Sequence, residues 1–259
     1  MRKTKIVCTL GPACDDEATL TAMCRAGMNV ARLNFSHGVH EDHLRRIVMI
    51  RKVREKLGLP IAILLDTKGP EYRIKTFRDG KVTLKDGDRF TFTTDDVVGD
   101  DTKVSVNYRE LAHELEPGDT ILLSNGLLSF RVEEVEGTDI HCTVLIGGEL
   151  SDRKSMSFPG KVLRQVYLNE QDKSDLAFGI ENGVDYVACS FVSCKQDLLD
   201  VREFMQAHGG SDIDLIAKIE NQSGVDNIEE ICSACDGIMV ARGDMGVEIP
   251  FEERHAIQK

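Results

Sequence analysis

The sequence predicts an α/β fold in which a parallel sheet is interrupted by a small all-β segment. Short apolar runs alternate with amphipathic runs in the first and last parts of the chain, and glycines end most of the amphipathic runs. The middle part lacks a helical period and is divided by glycine turns. Repeated strand–helix–strand units predict a parallel sheet, because parallel neighbours need a crossover connection.

Six apolar runs are the predicted strands of this sheet. They are residues 5–10, 28–35, 61–67, 185–191, 215–220 and 237–240. The runs between them predict helices over residues 15–27, 41–58, 170–182, 195–208 and 225–235, and residues 250–259 begin another. In the second helix, Leu44, Ile47, Val48 and Leu57 form the side that we expect to be buried.

Residues 70–166 form the predicted insert. Short alternating runs are separated there by dipeptide turns such as Asp79-Gly80 and Pro117-Gly118, and only a short piece near residues 107–115 has a helical pattern. We therefore divide the chain into a first α/β part at 1–69, an all-β insert at 70–166 and a second α/β part at 167–259.

Composition restricts the class of protein. The 259 residues are 41% hydrophobic, which suits a large α/β domain with an insert, and the net charge is −12. An acidic chain is a poor partner for nucleic acid or an anionic membrane. The first apolar run ends at Gly11-Pro12, too early for a signal peptide, and no apolar stretch reaches the ~18 residues of a membrane span. These features predict a cytoplasmic protein.

Polar side chains follow five of the predicted strands where each strand ends. The strand ends carry Arg32, Asn34 and Ser36; Asp66, Thr67 and Lys68; Ser190; Lys218 and Glu220; and Arg242 and Asp244. A doubly wound open sheet with six strands is a possible fold, but it would use only the strands beside its switch point. Five such strands favour a (β/α)8 barrel, whose active site lies at the carboxyl ends of its strands.

The chemistry of these residues predicts metal-assisted phosphoryl or enolate chemistry. The carboxylates of Asp66, Glu220 and Asp244 suit Mg²⁺ or Mn²⁺, whereas Arg32 and Lys218 suit phosphate. The alternative is a set of ion pairs in the barrel interior that support only the fold.

Two further groupings favour ordinary structural roles. His37, His40 and His43 are three apart, which suggests a metal site, but a loop and an early helix are where exposed histidines are common. Cys232 and Cys235 form one Cys-x-x-Cys pair, and no second pair completes a zinc site, so we expect helix packing.

Five motifs resemble those of pyruvate kinases. They are TKIVCTLGPAC at 4–14, GMNVARLNFSHG at 27–38, LLDTKGPEYR at 64–73, AKIENQSGVDN at 217–227 and MVARGDMGVEIP at 239–250. The resemblance runs along the whole chain and implies a TIM-type barrel with a small β lid, followed by a C-terminal regulatory domain. It also implies that the barrel is truncated after about six strands, so we expect the 259-residue chain alone to be inactive. The full-length form would be a homotetramer.

The implied activity is transfer of the phosphoryl group of phosphoenolpyruvate to ADP, which yields pyruvate and ATP in glycolysis. The resemblance makes Lys218 and Arg32 the catalytic residues that meet the phosphoryl group. Glu220 and Asp244 would hold Mg²⁺ or Mn²⁺, and the backbone near Gly243 and Asp244 would bind the substrate carboxylate.

The remaining implied residues bind K⁺ and nucleotide. The resemblance assigns K⁺ to Asn34, Ser36, Asp66 and Thr67, and Glu71 is the residue found in potassium-dependent members. It assigns the nucleotide to Asn34, His37 and Arg73.

The sequence departs from the family pattern at Ser124-Asn125, where an acidic pair is usual, and at Ser193, where arginine is common. Two other functions stay open at this point: a related Mg²⁺–enolate aldolase or lyase, and a non-catalytic fragment. The long insert and Arg73 favour the kinase, because an aldolase or lyase needs no nucleotide lid.

Overall fold

A computed structural model describes residues 3–161, 163–164, 166–249 and 257–258. Before the insert the elements are β1 (Val7–Thr9), α1 (Glu17–Ala26), β2 (Val30–Asn34), α2 (His40–Leu57) and β3 (Ala62–Asp66). The insert contains β4 (Lys81–Leu84), β5 (Arg89–Thr93), β6 (Lys103–Ser105), α3 (Leu111–Glu114), β7 (Thr120–Leu123), β8 (Leu128–Glu136), β9 (Asp139–Ile146), β10 (Gly148–Ser151) and β11 (Met156–Ser157). After it come α4 (Glu170–Glu181), β12 (Tyr186–Cys189), α5 (Lys195–Ala207), β13 (Asp214–Ile219), α6 (Gln222–Asp226), α7 (Ile228–Cys232), β14 (Gly237–Val240) and α8 (Arg242–Glu248).

The parallel sheet has the strand order β1-β2-β3-β12-β13-β14. Each strand pairs in parallel with the next α/β strand along the chain, so the order never reverses. A doubly wound sheet reverses at its switch point. The open-sheet alternative is therefore wrong, and the sequential order is that of six strands of a (β/α)8 barrel, as the sequence predicted.

The helices are bounded by residues that the sequence makes recognisable. The Asp16 side chain accepts a hydrogen bond from the Thr19 N–H at 2.8 Å and caps the start of α1. Gly27 and Gly58 end α1 and α2 with φ of 112° and 64°, a left-handed conformation that glycine adopts without strain. These caps are why the predicted bounds of α1 and α2 agree with the observed ones.

Two expectations about the helices are wrong. The predicted helix at 225–235 is two short helices, α6 and α7, with non-helical Asn227 between them. The buried side of α2 consists of His43, Arg46, Ile47, Ile50 and Val53, whereas Leu44 and Val48 are exposed. The further helix expected at 250–259 falls mostly outside the described residues.

The insert has its own core. One sheet has the order β11-β7-β8-β9-β5-β6, and β10 pairs with β4 in a second sheet. Phe90, Phe92 and Phe130 are buried at its centre, with the rings of Phe92 and Phe130 5.1 Å apart in an edge-to-face contact. Since this cluster contains residues of the insert alone, the insert has a hydrophobic core separate from that of the parallel sheet.

The chain divides into two compact units, which we name by their main content. The barrel unit comprises Met1–Gly69, Tyr167–Ile219 and Asp226–Val240, and the insert unit comprises Pro70–Val166, Glu220–Val225 and Ala241–Lys259. The domain boundaries at 69/70 and 166/167 stay a prediction, as does the assignment of all of 167–259 to the α/β part.

Candidate active site at the carboxyl ends of the strands

Asp66 is the centre of a buried polar network in the barrel unit. It is the last residue of β3 and is 1% exposed. Arg32, on the neighbouring strand β2, donates to Asp66 Oδ2 from Nε and Nη2, both at 2.5 Å. The Lys218 ammonium lies 3.1 Å from Asp66 Oδ1. A buried carboxylate is costly unless it is paired, so these two cations stabilise its charge while it fixes their positions.

Ser190 connects the network to the next strand ends. Its hydroxyl lies 2.6 Å from Lys218 Nζ and donates to the Thr67 carbonyl at 2.6 Å. It also lies 3.2 Å from Asp66 Oδ1. Ser190 follows β12, and Lys218 belongs to β13, so the four neighbouring strands β2, β3, β12 and β13 supply one network. Lys218 is 6% exposed, and Asp66 and Ser190 both contact its ammonium.

A glycine turn after β3 packs closely against Ser190. Gly69 has φ of 71°, and a Cβ there would lie 2.7 Å from the Ser190 carbonyl oxygen. The Gly69 N–H donates to the Asp172 carboxylate at 3.2 Å. Burial raises the pKa of Asp172 to about 6, partly offset by hydrogen bonds from backbone N–H groups. The turn is therefore packed without room for a side chain.

The end of β2 forms a tight turn beside the end of β3. Asn34 pairs with Asp66 in the sheet register, and its side-chain oxygen accepts from the Ser36 N–H at 3.0 Å. The Phe35 N–H donates to the Asp66 carbonyl at 3.0 Å. This register brings the strand ends carrying Asn34, Ser36, Asp66 and Thr67 to one part of the sheet edge. Their oxygens carry one formal charge, a donor set that fits a monovalent cation.

The histidines after β2 are not all exposed. His37 is exposed, whereas His43 is 2% exposed and lies 3.0 Å, through Nε2, from the His37 carbonyl. Burial lowers the pKa of His43 below its ordinary value. The expectation that these histidines are ordinary exposed ones is wrong for His43.

The two carboxylates predicted to hold the divalent ion belong to the insert unit. Glu220, directly after β13 in the chain, is fully buried at 0% exposure. Asp244 is exposed in the first turn of α8, which also contains Gly243. Carboxylates are the oxygen ligands that Mg²⁺ prefers, and a buried carboxylate is stabilised by a cation. The donor types therefore fit Mg²⁺ or Mn²⁺.

No group of three or more His, Cys, Asp or Glu side chains is arranged to hold a metal ion in the described part of the chain. Mg²⁺ is usually bound by one or two carboxylates together with substrate phosphates rather than by a protein cage. A site with Glu220 and Asp244 as its protein carboxylates is compatible with that chemistry.

Arg73, the predicted nucleotide residue, lies at the start of the insert. Its guanidinium contacts the Glu71 carboxylate and donates to the Arg153 carbonyl at 2.5 Å. The Asn107 side chain accepts from the Arg73 N–H at 2.8 Å and donates to the Glu71 carbonyl at 2.8 Å. The structure thus fixes Arg73 and Glu71 together on the insert.

Sequence reasoning missed two members of the network. It recognised Ser190 as a polar residue at a strand end but gave it no role. Thr9 went unnoticed, although its hydroxyl accepts from Arg32 Nη1 at 2.6 Å. Its position at the end of β1 is the signal that could have identified it, since the other network residues are also at or next to strand ends.

Comparisons with known proteins agree with the fold and the motifs. The pattern of the pyruvate kinase barrel domain matches residues 1–259. Pyruvate kinase of Clostridium perfringens is 50% identical over 260 residues, which is 100% of this chain and 55% of that protein. Pyruvate kinase of Geobacillus stearothermophilus is 48% identical over 260 residues, with 100% of this chain and 44% of that protein covered.

The chain spans about half the length of the curated relatives it matches. Within the described residues no helix has both the length and the apolar character needed to cross a bilayer. The match over all 259 residues, together with the sequential parallel sheet, places this chain in the pyruvate kinase family, over its barrel domain.

Proposed function

We propose that this chain carries the phosphoryl-transfer centre of a pyruvate kinase, which moves the phosphoryl group of phosphoenolpyruvate to ADP and releases pyruvate and ATP in glycolysis. The observation that carries the proposal is the buried network of Arg32, Asp66, Ser190 and Lys218 at the carboxyl ends of neighbouring strands. The sequence similarity to pyruvate kinases supports the same reaction.

In this reaction the P–O bond to the enolpyruvate oxygen breaks while an ADP phosphate oxygen bonds to phosphorus, and the enolate that leaves takes up a proton from solvent to give pyruvate. The phosphoryl group then lies between the leaving oxygen and the attacking oxygen, and its own oxygens carry negative charge. Lys218 would meet that charge with an ammonium already positioned by Asp66 and Ser190, and Arg32 would contact the phosphate. A preorganised cation in a buried site stabilises such charge without reorganisation.

Two kinds of cation complete the proposed site. Mg²⁺ or Mn²⁺ supplies Lewis-acid stabilisation of the enolate and phosphoryl oxygens when bound. Glu220 and Asp244 would hold it. K⁺ would supply a monovalent positive charge, and Asn34, Ser36, Asp66 and Thr67 would hold it.

The remaining proposed contacts orient the substrates. α8 begins at Arg242, so the Gly243 and Asp244 N–H groups lie in its first turn, where N–H groups suit a carboxylate such as that of the substrate. Asn34, His37 and Arg73 would bind ADP phosphates.

The larger assembly is also a proposal. Residues 70–166 would act as a lid domain on a barrel formed by 1–69 and 167–259. The full-length protein would be a cytoplasmic homotetramer.

The test replaces Lys218 in the full-length protein. Lys218→Met removes the ammonium and should lower kcat by ~10²–10³, the typical loss for one preorganised donor, with a smaller change in the binding of phosphoenolpyruvate. Lys173→Met is the control, because Lys173 is a partly exposed residue of α4 that pairs with Glu170, and it should leave kcat unchanged. Near-normal kcat with weak phosphoenolpyruvate binding in Lys218→Met would contradict the assignment.

A further inference from the structure

The turn after β2 is packed against a group of aromatic rings that the proposed reaction does not use. Phe35, 8% exposed, stacks on His43 with ring centroids 4.0 Å apart and an interplanar angle of 11°. His40 stacks on Phe178 of α4 at 4.4 Å, and Phe178 is also 5.9 Å from Phe35. We call Phe35, His40, His43 and Phe178 the aromatic cage.

Both imidazoles of the cage are fixed by polar contacts at Nε2. His43 Nε2 lies 3.0 Å from the His37 carbonyl, and a carbonyl only accepts, so Nε2 carries the proton. His40 Nε2 lies 2.6 Å from Asp175 Oδ1, which also accepts from Gln171 Nε2 at 2.9 Å. Asp175 is 2% exposed. The cage therefore ties the turn to α2 and to α4.

The polar contacts of the three histidines lead to separate partners. The described residues contain no metal-binding group of the required size. His37 contributes its backbone carbonyl, and the Nε2 atoms of His40 and His43 are directed at different acceptors. Because His40 and His43 are three residues apart, their imidazoles lie one turn apart on the inner side of α2.

The turn has internal hydrogen bonds and one polar contact to α2. The Ser36 and His37 N–H groups are bonded to Asn34 oxygens at 3.0 and 3.3 Å, so the turn closes on its own first residue. Gly38 then reverses the chain with φ of 84°, and a Cβ there would lie 3.6 Å from His43 Nε2. The contact from His43 to the His37 carbonyl links this self-contained turn to the helix that follows it.

We propose that His40 and His43 are positioning residues, which hold the turn of residues 34–38 in place for the cation and nucleotide phosphate. Phe35 lies between Asn34 and Ser36 in the chain, so a shift of its ring moves both neighbours. The identity of the ligands rests on the proposed function, whereas the support of the turn does not. Residues behind a binding site commonly set its geometry in this way.

The test separates the two interactions of His43 in the full-length protein. His43→Phe keeps a ring against Phe35 and removes the donor, whereas His43→Gln keeps an N–H donor and removes the ring. His208→Phe is the matched control, because exposed His208 stacks on Phe204 at 4.0 Å and its Nδ1 lies 2.7 Å from the Phe204 carbonyl. It removes the same kinds of contact after the end of α5.

Two measurements are made on each variant. The first is amide hydrogen exchange of residues 34–43 without ligands, and the second is the pair of constants KM for ADP and kcat. His43→Phe should speed exchange in the turn and raise KM for ADP, each roughly tenfold, the equivalent of one lost hydrogen bond, and should lower kcat less. His43→Gln should restore part of both effects, and His208→Phe should change neither.

Each outcome decides the inference. Unchanged exchange in His43→Phe overturns it, as does faster exchange with unchanged KM for ADP in an active enzyme, which would mean a purely structural role. If the wild-type protein transfers no phosphoryl group, the proposed function fails, and exchange alone decides whether His43 holds the turn. If His43→Phe does not fold, Asp175→Asn weakens the cage from α4 and is judged by the same two measurements.

Discussion

Removal of the Ser190 hydroxyl tests the buried network most directly. Ser190→Ala keeps the Cβ that packs against Gly69 and deletes only the oxygen that connects Lys218 to the Thr67 carbonyl. The ion pair between Lys218 and Asp66, at 3.1 Å, remains. The variant therefore removes the Ser190 contact to the Lys218 ammonium without removing a charge.

The expected magnitude follows from the two lost hydrogen bonds. A hydrogen bond to a charged group contributes roughly 1.5–3 kcal/mol, and a neutral one contributes about 1 kcal/mol. Ser190→Ala should therefore lower the free energy of unfolding by about 2.5–4 kcal/mol, measured by urea denaturation. In initial-rate assays with full-length protein, kcat should fall about tenfold, less than for Lys218→Met, because Asp66 still holds the ammonium.

Ser105→Ala is the matched control for this variant. Ser105 is a buried serine of the insert whose hydroxyl donates to the Asp95 carbonyl at 2.6 Å and accepts from the Val97 N–H at 2.7 Å. Its removal should lower stability and leave kcat unchanged, since it has no charged partner. If Ser190→Ala lowers kcat no more than Ser105→Ala does, the reasoning about Lys218 is refuted.

Four further outcomes are expected. Glu220→Gln in the full-length protein should raise the Mg²⁺ concentration needed for half-maximal rate, and an unchanged metal titration would contradict its role as a ligand. Rates in Na⁺ should be far below those in K⁺, and equal rates would exclude the potassium site. Asp172→Asn should abolish a pH-dependent loss of stability. The pKa of Asp172 in the folded protein, about 6, exceeds its ordinary value of 3.8. Asp172 therefore contributes stability below pH 4 that is lost as the pH rises through about 6, and the total loss is about 3 kcal/mol. Urea midpoints of the wild type and the variant at pH 4.5 and 7.5 would test this. Gly69→Ala should lower the free energy of unfolding by at least ~2 kcal/mol, because the alanine Cβ would collide with the Ser190 carbonyl. An unchanged urea midpoint would mean that the turn adapts to the side chain.

Local chemistry explains why most element bounds could be predicted. Asp16, Gly27 and Gly58 act within one turn of the helix ends they define, so a short stretch of sequence contains the whole signal. The strands β3 and β12 are apolar on both faces, and their runs are recognisable without knowledge of their neighbours.

The buried face of α2 shows where that approach fails. We expected Leu44 and Val48 to be inside because they are apolar, yet His43 and Arg46 are inside instead. Arg46 forms two hydrogen bonds to the Asp15 carboxylate, at 2.7 and 2.8 Å, and His43 stacks on Phe35. A polar residue is buried when a distant residue satisfies it, and the helical pattern contains no information about that partner.

The break between α6 and α7 has a similar origin. The periodic pattern over 225–235 suggested one helix, but Asn227 adopts φ of −100° and ψ of 17°, and its side chain donates to the Ser193 carbonyl at 2.8 Å. Asparagine readily bonds to backbone groups in place of helical hydrogen bonds. Here the backbone acceptor belongs to a loop 34 residues earlier in the chain, so tertiary structure overrides the local periodicity.

The local sequence predicted the positions of the site residues along the chain, but it did not predict which of them contact one another. The positions of Arg32, Asp66 and Lys218 near strand ends were predictable, because each is a charged residue in the last part of an apolar run. Their mutual contacts depend on strand order and register, which place β2 beside β3 and align Asn34 with Asp66. Since Asp66 contacts both cations and also belongs to the proposed K⁺ site, a change in K⁺ binding would alter the carboxylate that positions Arg32 and Lys218. In the proposed site, cation binding and phosphoryl transfer would thereby be linked through one side chain, whose contacts with Arg32 and Lys218 the sequence alone did not reveal.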